Sequence, residues 1–264
     1  MLKIGNGRLP RIHQDKLAEY QQDVDEKCSY PEQVKAAKTL FKSRNRKQNR
    51  TFAAVRKELA DLCSGTRRCM YCEDSVADEV EHFRPKDLYP EVVFAWMNFL
   101  YACGPCNGRK SNKFVVIDDT GAFIDVTRPF GAPDVRPAPG NAALIDPRRE
   151  DPLEFLMLDL RETFEFTPMG DEGTQDYERA SHTIEVLGLN DRDYLVKARK
   201  TAFENYCALL DKYAWERDPR RRCVVMHAIR ANNHPTVWWE MKRQQQRWEE
   251  LAVLFAHAPD FLDL

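Results

Sequence analysis

Residues 69–113 read CMYCEDSVADEVEHFRPKDLYPEVVFAWMNFLYACGPCNGRKSNK, and this stretch decides the fold. Two C-x-x-C pairs, Cys69/Cys72 and Cys103/Cys106, bracket a Glu81-His82 step and an Asn98, and Asn107-x-x-Lys110 follows the last cysteine. A C-x-x-C turn sets two sulfurs at chelating distance, so two such turns complete a tetrahedral structural zinc site. The interval of residues 73–102 is longer than a bare zinc ribbon needs, and it carries the polar residues just named.

The wider composition narrows the function. With 264 residues and 43% apolar content the chain can bury a large core without disulfides. Its N-terminal residues carry no apolar leader, and no stretch approaches the roughly 18 apolar residues of a membrane span. A cytoplasmic protein with no membrane contact is expected. Eight cysteines in such a chain point to reduced thiols and metal rather than a disulfide framework. Cys28, Cys63, Cys207 and Cys223 lack ligand spacing and read as small hydrophobes. A net charge of −2 excludes gripping nucleic acid by bulk charge, so any basic surface must be local.

Outward from the central stretch, four regions are expected. Residues 1–64 form an N-terminal helical region: a polar segment from Asp15 to Lys27, a helix opened by Pro31, and a third helix capped by Thr51 and ended by Gly65. The run KSRNRKQNR (residues 42–50) is the densest basic segment and reads either as a phosphate track or as a solvated helix end. Residues 65–115 form the metal core. Residues 116–143 hold a hairpin (VVID, AFIDV) and a Pro/Gly-rich linker, RPFGAPDVRPAPGN. Residues 144–264 are mainly helical, with strands near LEFLMLDL and TFEF, a helix stopped by Gly188, a long helix from Asp191 to Tyr213, and a break at His234-Pro235. Trp238, Trp239, Trp248 and Phe255 read first as core and second as a partner surface.

In the core, VADEVEHF reads as a strand, FAWMNFLYAC as its return and PCNGRKSNK as a short helix. This strand, loop, strand, helix order, with Glu-His, Asn and Asn-x-x-Lys in place after a C-x-x-C, resembles the HNH endonuclease family. The resemblance implies an α+β, mainly helical protein built round a ββα-metal finger with a four-cysteine zinc site. It implies His82 as general base, Asn98 as the residue that orients it, and Lys110 as a phosphate contact. Glu81 and Asn107 would hold Mg²⁺ or a similar cation at the scissile phosphate. Glu81 stands where Asp is commoner, and neighbouring strand residues point to opposite faces, so Glu81 and His82 share a site only if the strand bends there. On its own His82 reads as a structural histidine. The cysteine frame, the two asparagines and Lys110 in register favour the base.

The segments LIDPRREDPLEF and RASHTIEVLGLNDRDYLVKAR are similar to a bacterial HNH subfamily that includes the nuclease partner of an ATPase in Septu-type and retron-linked anti-phage systems. The expected function is metal-dependent cleavage of nucleic acid, with DNA favoured over RNA, as a defence effector with an ATPase partner. The alternative is a zinc-stapled module that binds nucleic acid or protein without cutting.

Overall fold

The computed structural model describes residues 1–262. The chain opens with three amphipathic helices. In α1 (Arg11–Asp25) Leu17, Tyr20 and Val24 face inward, and in α2 (Tyr30–Arg44) Val34, Ala37 and Phe41 do. Pro31 sits in the first turn of α2, where the Glu32 carboxylate accepts from the Ser29 N–H at 3.1 Å. α3 (Arg50–Leu62) buries Phe52, Val55 and Leu59. Its cap is Asn49, whose side chain accepts from Phe52 N at 3.1 Å, so Thr51, expected there, lies buried within the helix. The helix stops at Leu62, and Gly65, at φ 51°, turns the chain beyond it instead of ending it.

The central stretch forms β1 (Glu79–His82), β2 (Phe99–Ala102) and α4 (Gly104–Lys110). The strands are antiparallel, with Glu81 opposite Leu100 and His82 opposite Phe99. The return strand is shorter than expected, because Trp96–Asn98 turns as a 3₁₀ helix before it. Beyond it, β3 (Val115–Ile117) and β4 (Phe123–Asp125) make the expected hairpin. The Asp118 side chain closes its turn by accepting from Thr120 N and Ala122 N. The Pro/Gly-rich segment that follows has no regular structure until β5 (Asn141–Ala142), which pairs with β3.

In the C-terminal half, β6 (Leu156–Leu158) pairs with β7 (Phe166–Pro168). TFEF is turn rather than strand up to Phe166: the Asp159 carboxylate accepts from Arg161 N and Thr163 N, and Phe164 takes a left-handed φ of 56°. Five helices follow: α5 (Gln175–Leu187), α6 (Asp193–Trp215), α7 (Pro219–Ala231), α8 (Pro235–Gln244) and α9 (Glu249–Ala256). Thr174 caps α5 and Gly188, left-handed at φ 55°, ends it. Trp238 and Phe255 are buried and Trp248 stacks on Phe203 at 5.5 Å, so the tryptophan cluster is core rather than an exposed partner surface. Trp239, at 41%, and Trp215, at 84%, are the exposed ones among the described residues.

One apolar cluster runs from Leu17 through Phe99 to Phe261, and buried ions staple its parts together. The Arg148 guanidinium, 2% exposed, donates to Trp96 O (2.9 Å), Phe99 O (2.8 Å) and Asn6 O (2.6 Å). Glu73, beside the first knuckle at φ 60°, accepts from Thr236 N and Oγ1 at the start of α8, and the Met1 ammonium lies 3.2 Å away. Arg199 ties α6 to Phe164 O and Leu189 O. Removing such a group strands several buried acceptors at once. Arg148→Met is therefore expected to cost on the order of 3 kcal/mol or more, seen as a lower urea midpoint; a loss under about 1 kcal/mol would mean that water replaces the guanidinium.

Candidate metal centre and cleft

The Sγ atoms of Cys69, Cys72, Cys103 and Cys106 all lie within 4.8 Å of one another, and all four residues are buried. Two ligands about 2.3 Å from a tetrahedral zinc ion stand about 3.8 Å apart. Cys72 and Cys103 match this, with sulfurs 3.8 Å apart. Each knuckle is shaped by its own backbone: Glu73 N donates to Cys69 O, and Cys103 is the N-cap of α4 with Asn107 N on its carbonyl. Hydrogen bonds from Cys106, Cys69 and Cys72 lower the pKa of the Cys103 thiol, while its own hydrogen bond raises that of Cys106 and burial raises that of Cys69. The Arg192 guanidinium, 3.3 Å from Cys106 Sγ, adds positive charge beside the cluster. Four buried thiols of this geometry can hold a zinc ion.

The cluster anchors one end of the ββα unit, and a cleft of about 670 Å³ opens along the other. Glu79, Glu81 and His82 of β1 and Asn107 of α4 line it. So do Lys38 of α2, Lys86, and the Pro/Gly-rich segment from Arg128 to Asp134. That segment is held in place by Arg128, which donates to Asp87 O, Asp134, Tyr30 Oη and Val135 O.

His82 ends β1 and is 3% exposed. Its Nε2 lies 2.9 Å from Val93 O, and its ring packs edge-on to Phe41 at 4.4 Å. A carbonyl oxygen only accepts, so Nε2 carries the proton and the neutral ring keeps a lone pair on Nδ1. Burial, then the positive charge of Lys86, pushes the His82 pKa down to about 3.

Asn98 is buried, and its side chain is hydrogen-bonded to the backbone of Arg84 and Val92 rather than to His82. Its Nδ2 donates to Arg84 O and Val92 O, and its Oδ1 accepts from Arg84 N at 2.7 Å. It thus pins both ends of the loop that presents Val93 O to His82. Glu81 and His82 leave β1 on different sides and both still reach the cleft, because the strand ends at His82.

Lys110 departs from its expected role. It is fully buried and donates to Glu81 Oε1 at 2.6 Å and His82 O at 2.8 Å, so it faces the strand and not a phosphate. The last turn of α4 lies against β1, which leaves a side chain three residues after Asn107 no route to the solvent. Burial raises the Glu81 pKa in spite of this partner. Asn107 Nδ2 donates to Glu79 Oε2 at 2.5 Å, which turns its Oδ1 away from that carboxylate.

Glu79 was missed by sequence reasoning. The period-2 rule could have found it, since it is two residues before Glu81 and shares that face. Phe41, Lys38 and Val93 O carry no sequence signal, because they meet His82 only through tertiary packing. A second cavity of about 490 Å³, on the far side of Asn98, contains Arg149 and Arg179, but these pair with Asp146 (3.4 Å) and Glu150 (2.7 Å).

Asn98→Ala should unfasten the loop while leaving the cysteine cluster intact. Faster amide exchange at residues 84–93 with unchanged zinc content is the expected result. Metal analysis should find one zinc per chain, and Cys106→Ser should lose it together with the fold of residues 69–110. Well-folded protein free of zinc would contradict this.

No known family profile matches the chain, and no solved structure matches it. A stretch of 72 residues is 43% identical to the Septu protein PtuB of Bacillus thuringiensis. The match takes in 24% of this chain and 28% of that protein, so it spans little more than a quarter of the relative's length.

Proposed function

We propose that the chain is an HNH-type endonuclease that hydrolyses phosphodiester bonds of nucleic acid, DNA favoured, with a divalent cation such as Mg²⁺. The observation that carries this reading is the His82 hydrogen bond to Val93 O: it orients the ring and leaves Nδ1 as the proton acceptor, in a cleft shared with Glu81 and Asn107. In the proposed step Nδ1 takes a proton from water as the water oxygen bonds to phosphorus and the bond to the 3′ oxygen breaks. Asn98 acts through the loop and is a positioning residue.

The donor set suits a hard cation. Lys110 takes Oε1 of Glu81 and leaves Oε2, and Asn107 keeps its Oδ1, so two oxygens are available with room for water and phosphate. A cation bound there would neutralise charge on the scissile phosphate and the leaving oxygen. Glu81 and Asn107 would hold it, and Glu79 would orient Asn107. Lys110 would fix Glu81 rather than touch substrate.

A second reading takes support from the same site. A ring held near pKa 3 is a weak base, and the Glu81 carboxylate is already paired, as in a module that binds without cutting. His82→Ala separates the two readings: zinc content and the fold stay, and cleavage of plasmid DNA in Mg²⁺ falls about 100-fold or more if the ring is the base. Asn107→Ala should do the same without loss of zinc. Undiminished cutting by either variant would sink the assignment.

Similarity to Septu protein PtuB supports an anti-phage role. An ATPase partner rests on the family resemblance and on charge, because a chain of net −2 has no general field to gather substrate.

A further inference from the structure

The helix α2 lies outside the ββα unit, yet it builds one wall of the cleft. Phe41 packs on the His82 ring, and Lys38, one turn earlier, lines the same cleft as His82 and Asn107. Lys35, Lys38 and Lys42 are all exposed and repeat at helical spacing, so they form one row along the outer face of α2. The row is about 10 Å long at about 1.5 Å per residue, which spans about three phosphates of one strand of a duplex.

Within the helix only Lys42 has a local use, as a cation in the last turn of α2. Like charges three and four residues apart repel, and this weakens the helix slightly. Among the described residues Lys35 and Lys42 make no ion pair, and Lys38 has only Asp87 at 3.3 Å across a half-exposed gap. An exposed pair of that kind is weak and gives way to a phosphate. Lys86 stands on the same side, its Nζ 5.9 Å from the Phe41 ring. By contrast, Arg44, from the basic run that follows, stacks on Tyr20 at 4.9 Å and is spent on packing. Arg46, Lys47 and Arg50 of that run are exposed too, but none of them lines the cleft, so the charge placed beside His82 lies on the helix itself and at Lys86.

We propose that Lys35, Lys38 and Lys42, with Lys86 at the cleft mouth, form a rail that binds the phosphate backbone of nucleic acid and leads one strand past His82. The proposal rests on the reading of the cleft as the site of phosphodiester cleavage. It assigns substrate positioning to a helix outside the motif. It would also let a chain with no net positive charge bind a strand, because the cations are gathered in one row. Backbone contacts of this kind place a strand without reading its bases.

The test measures binding and cutting separately. Binding of a labelled DNA duplex of about 30 base pairs, and of a single-stranded RNA of the same length, is followed by fluorescence anisotropy against salt in the His82→Ala background. Adding Lys35→Gln, Lys38→Gln and Lys42→Gln should lower affinity about 10-fold or more on whichever probe binds. It should also reduce the slope of log K against log salt by roughly two to three, about 0.7 to 0.9 per lost phosphate contact. The Lys→Arg triple should bind like the parent, which excludes misfolding as the cause. Arg220→Gln with Arg221→Gln on α7 should leave binding and slope unchanged.

No binding by the parent, an unchanged slope in the Gln triple, or an equal loss in the α7 variant would overturn the rail. In the His82-intact protein, cutting at low substrate should fall with the Gln triple while the rate at saturation stays. If the triple loses binding but neither the parent nor any variant ever cuts, the rail stands and the nuclease reading fails. If the protein cuts and the triple binds unchanged, the reverse holds.

Discussion

Everything in the cleft depends on four sulfurs meeting at one point. The two knuckles are separated by residues 73–102, and that interval contains β1, the 84–93 loop and β2. A metal held at the cluster would close this loop in the folded state and offset the entropy of ordering it. A two-stranded sheet of four-residue strands would be marginal alone. With the second knuckle at the start of α4, the same closure sets the helix against β1 and brings Asn107 to Glu79 and Lys110 to Glu81. The C-terminal half completes the clamp, since Arg192 reaches Cys106 and Glu73 holds α8 to the first knuckle.

The polar groups near the strand end are costly to bury, and their titration records it. A folded His82 held at about 3 stays neutral while the unfolded chain takes up a proton below its ordinary 6.5. Stability from this group is therefore lost as the pH falls from 6.5 towards 3, by about 1.4 kcal/mol per pH unit. Glu81 runs the other way: its pKa is raised, so its burial costs stability above the ordinary carboxylate range and not below it. Such opposed costs are tolerated where a site must be dry and fixed before its ligand arrives. The buried Lys110 lowers the cost of Glu81 only in part, which is the common balance for an ion pair removed from water.

Much of this was legible in the residues, for identifiable reasons. The C-x-x-C spacing placed the cluster, and helical periodicity placed α2, α3, α5 and α6, because both are local. Boundaries failed where a side chain competed with the backbone: Asn49 displaced Thr51 as a cap, and Asp159 turned TFEF away from a strand. Burial could not be read from residue type at Lys110, since its direction depends on how α4 lies on β1. The tryptophans read first as core, which holds for Trp238, but residue type does not say which of them stay exposed. Trp238 and Trp239 are neighbours in sequence, yet the first is buried and the second is 41% exposed.

The finger alone does not make the site. Its strands supply Glu81 and His82, but the depressed basicity of His82 comes from burial, and much of that burial is Phe41 of α2 and Phe99 of β2. An aromatic wall excludes water from one side of the ring and leaves the cleft side as the way in. The opposite wall is the Pro/Gly-rich segment, which has no secondary structure to stiffen it and depends on Arg128 for its position. One wall is thus a rigid helix tied to the core through Val34, Ala37 and Phe41, and the other is a strap held by a few side-chain contacts: those of Arg128, the Asn112 amide on Arg128 O, and Arg136 over the Tyr30 ring. On the proposed reading, a phosphate strand entering between them would meet the fixed wall as the reference surface, and the strap would be the side that adjusts to it.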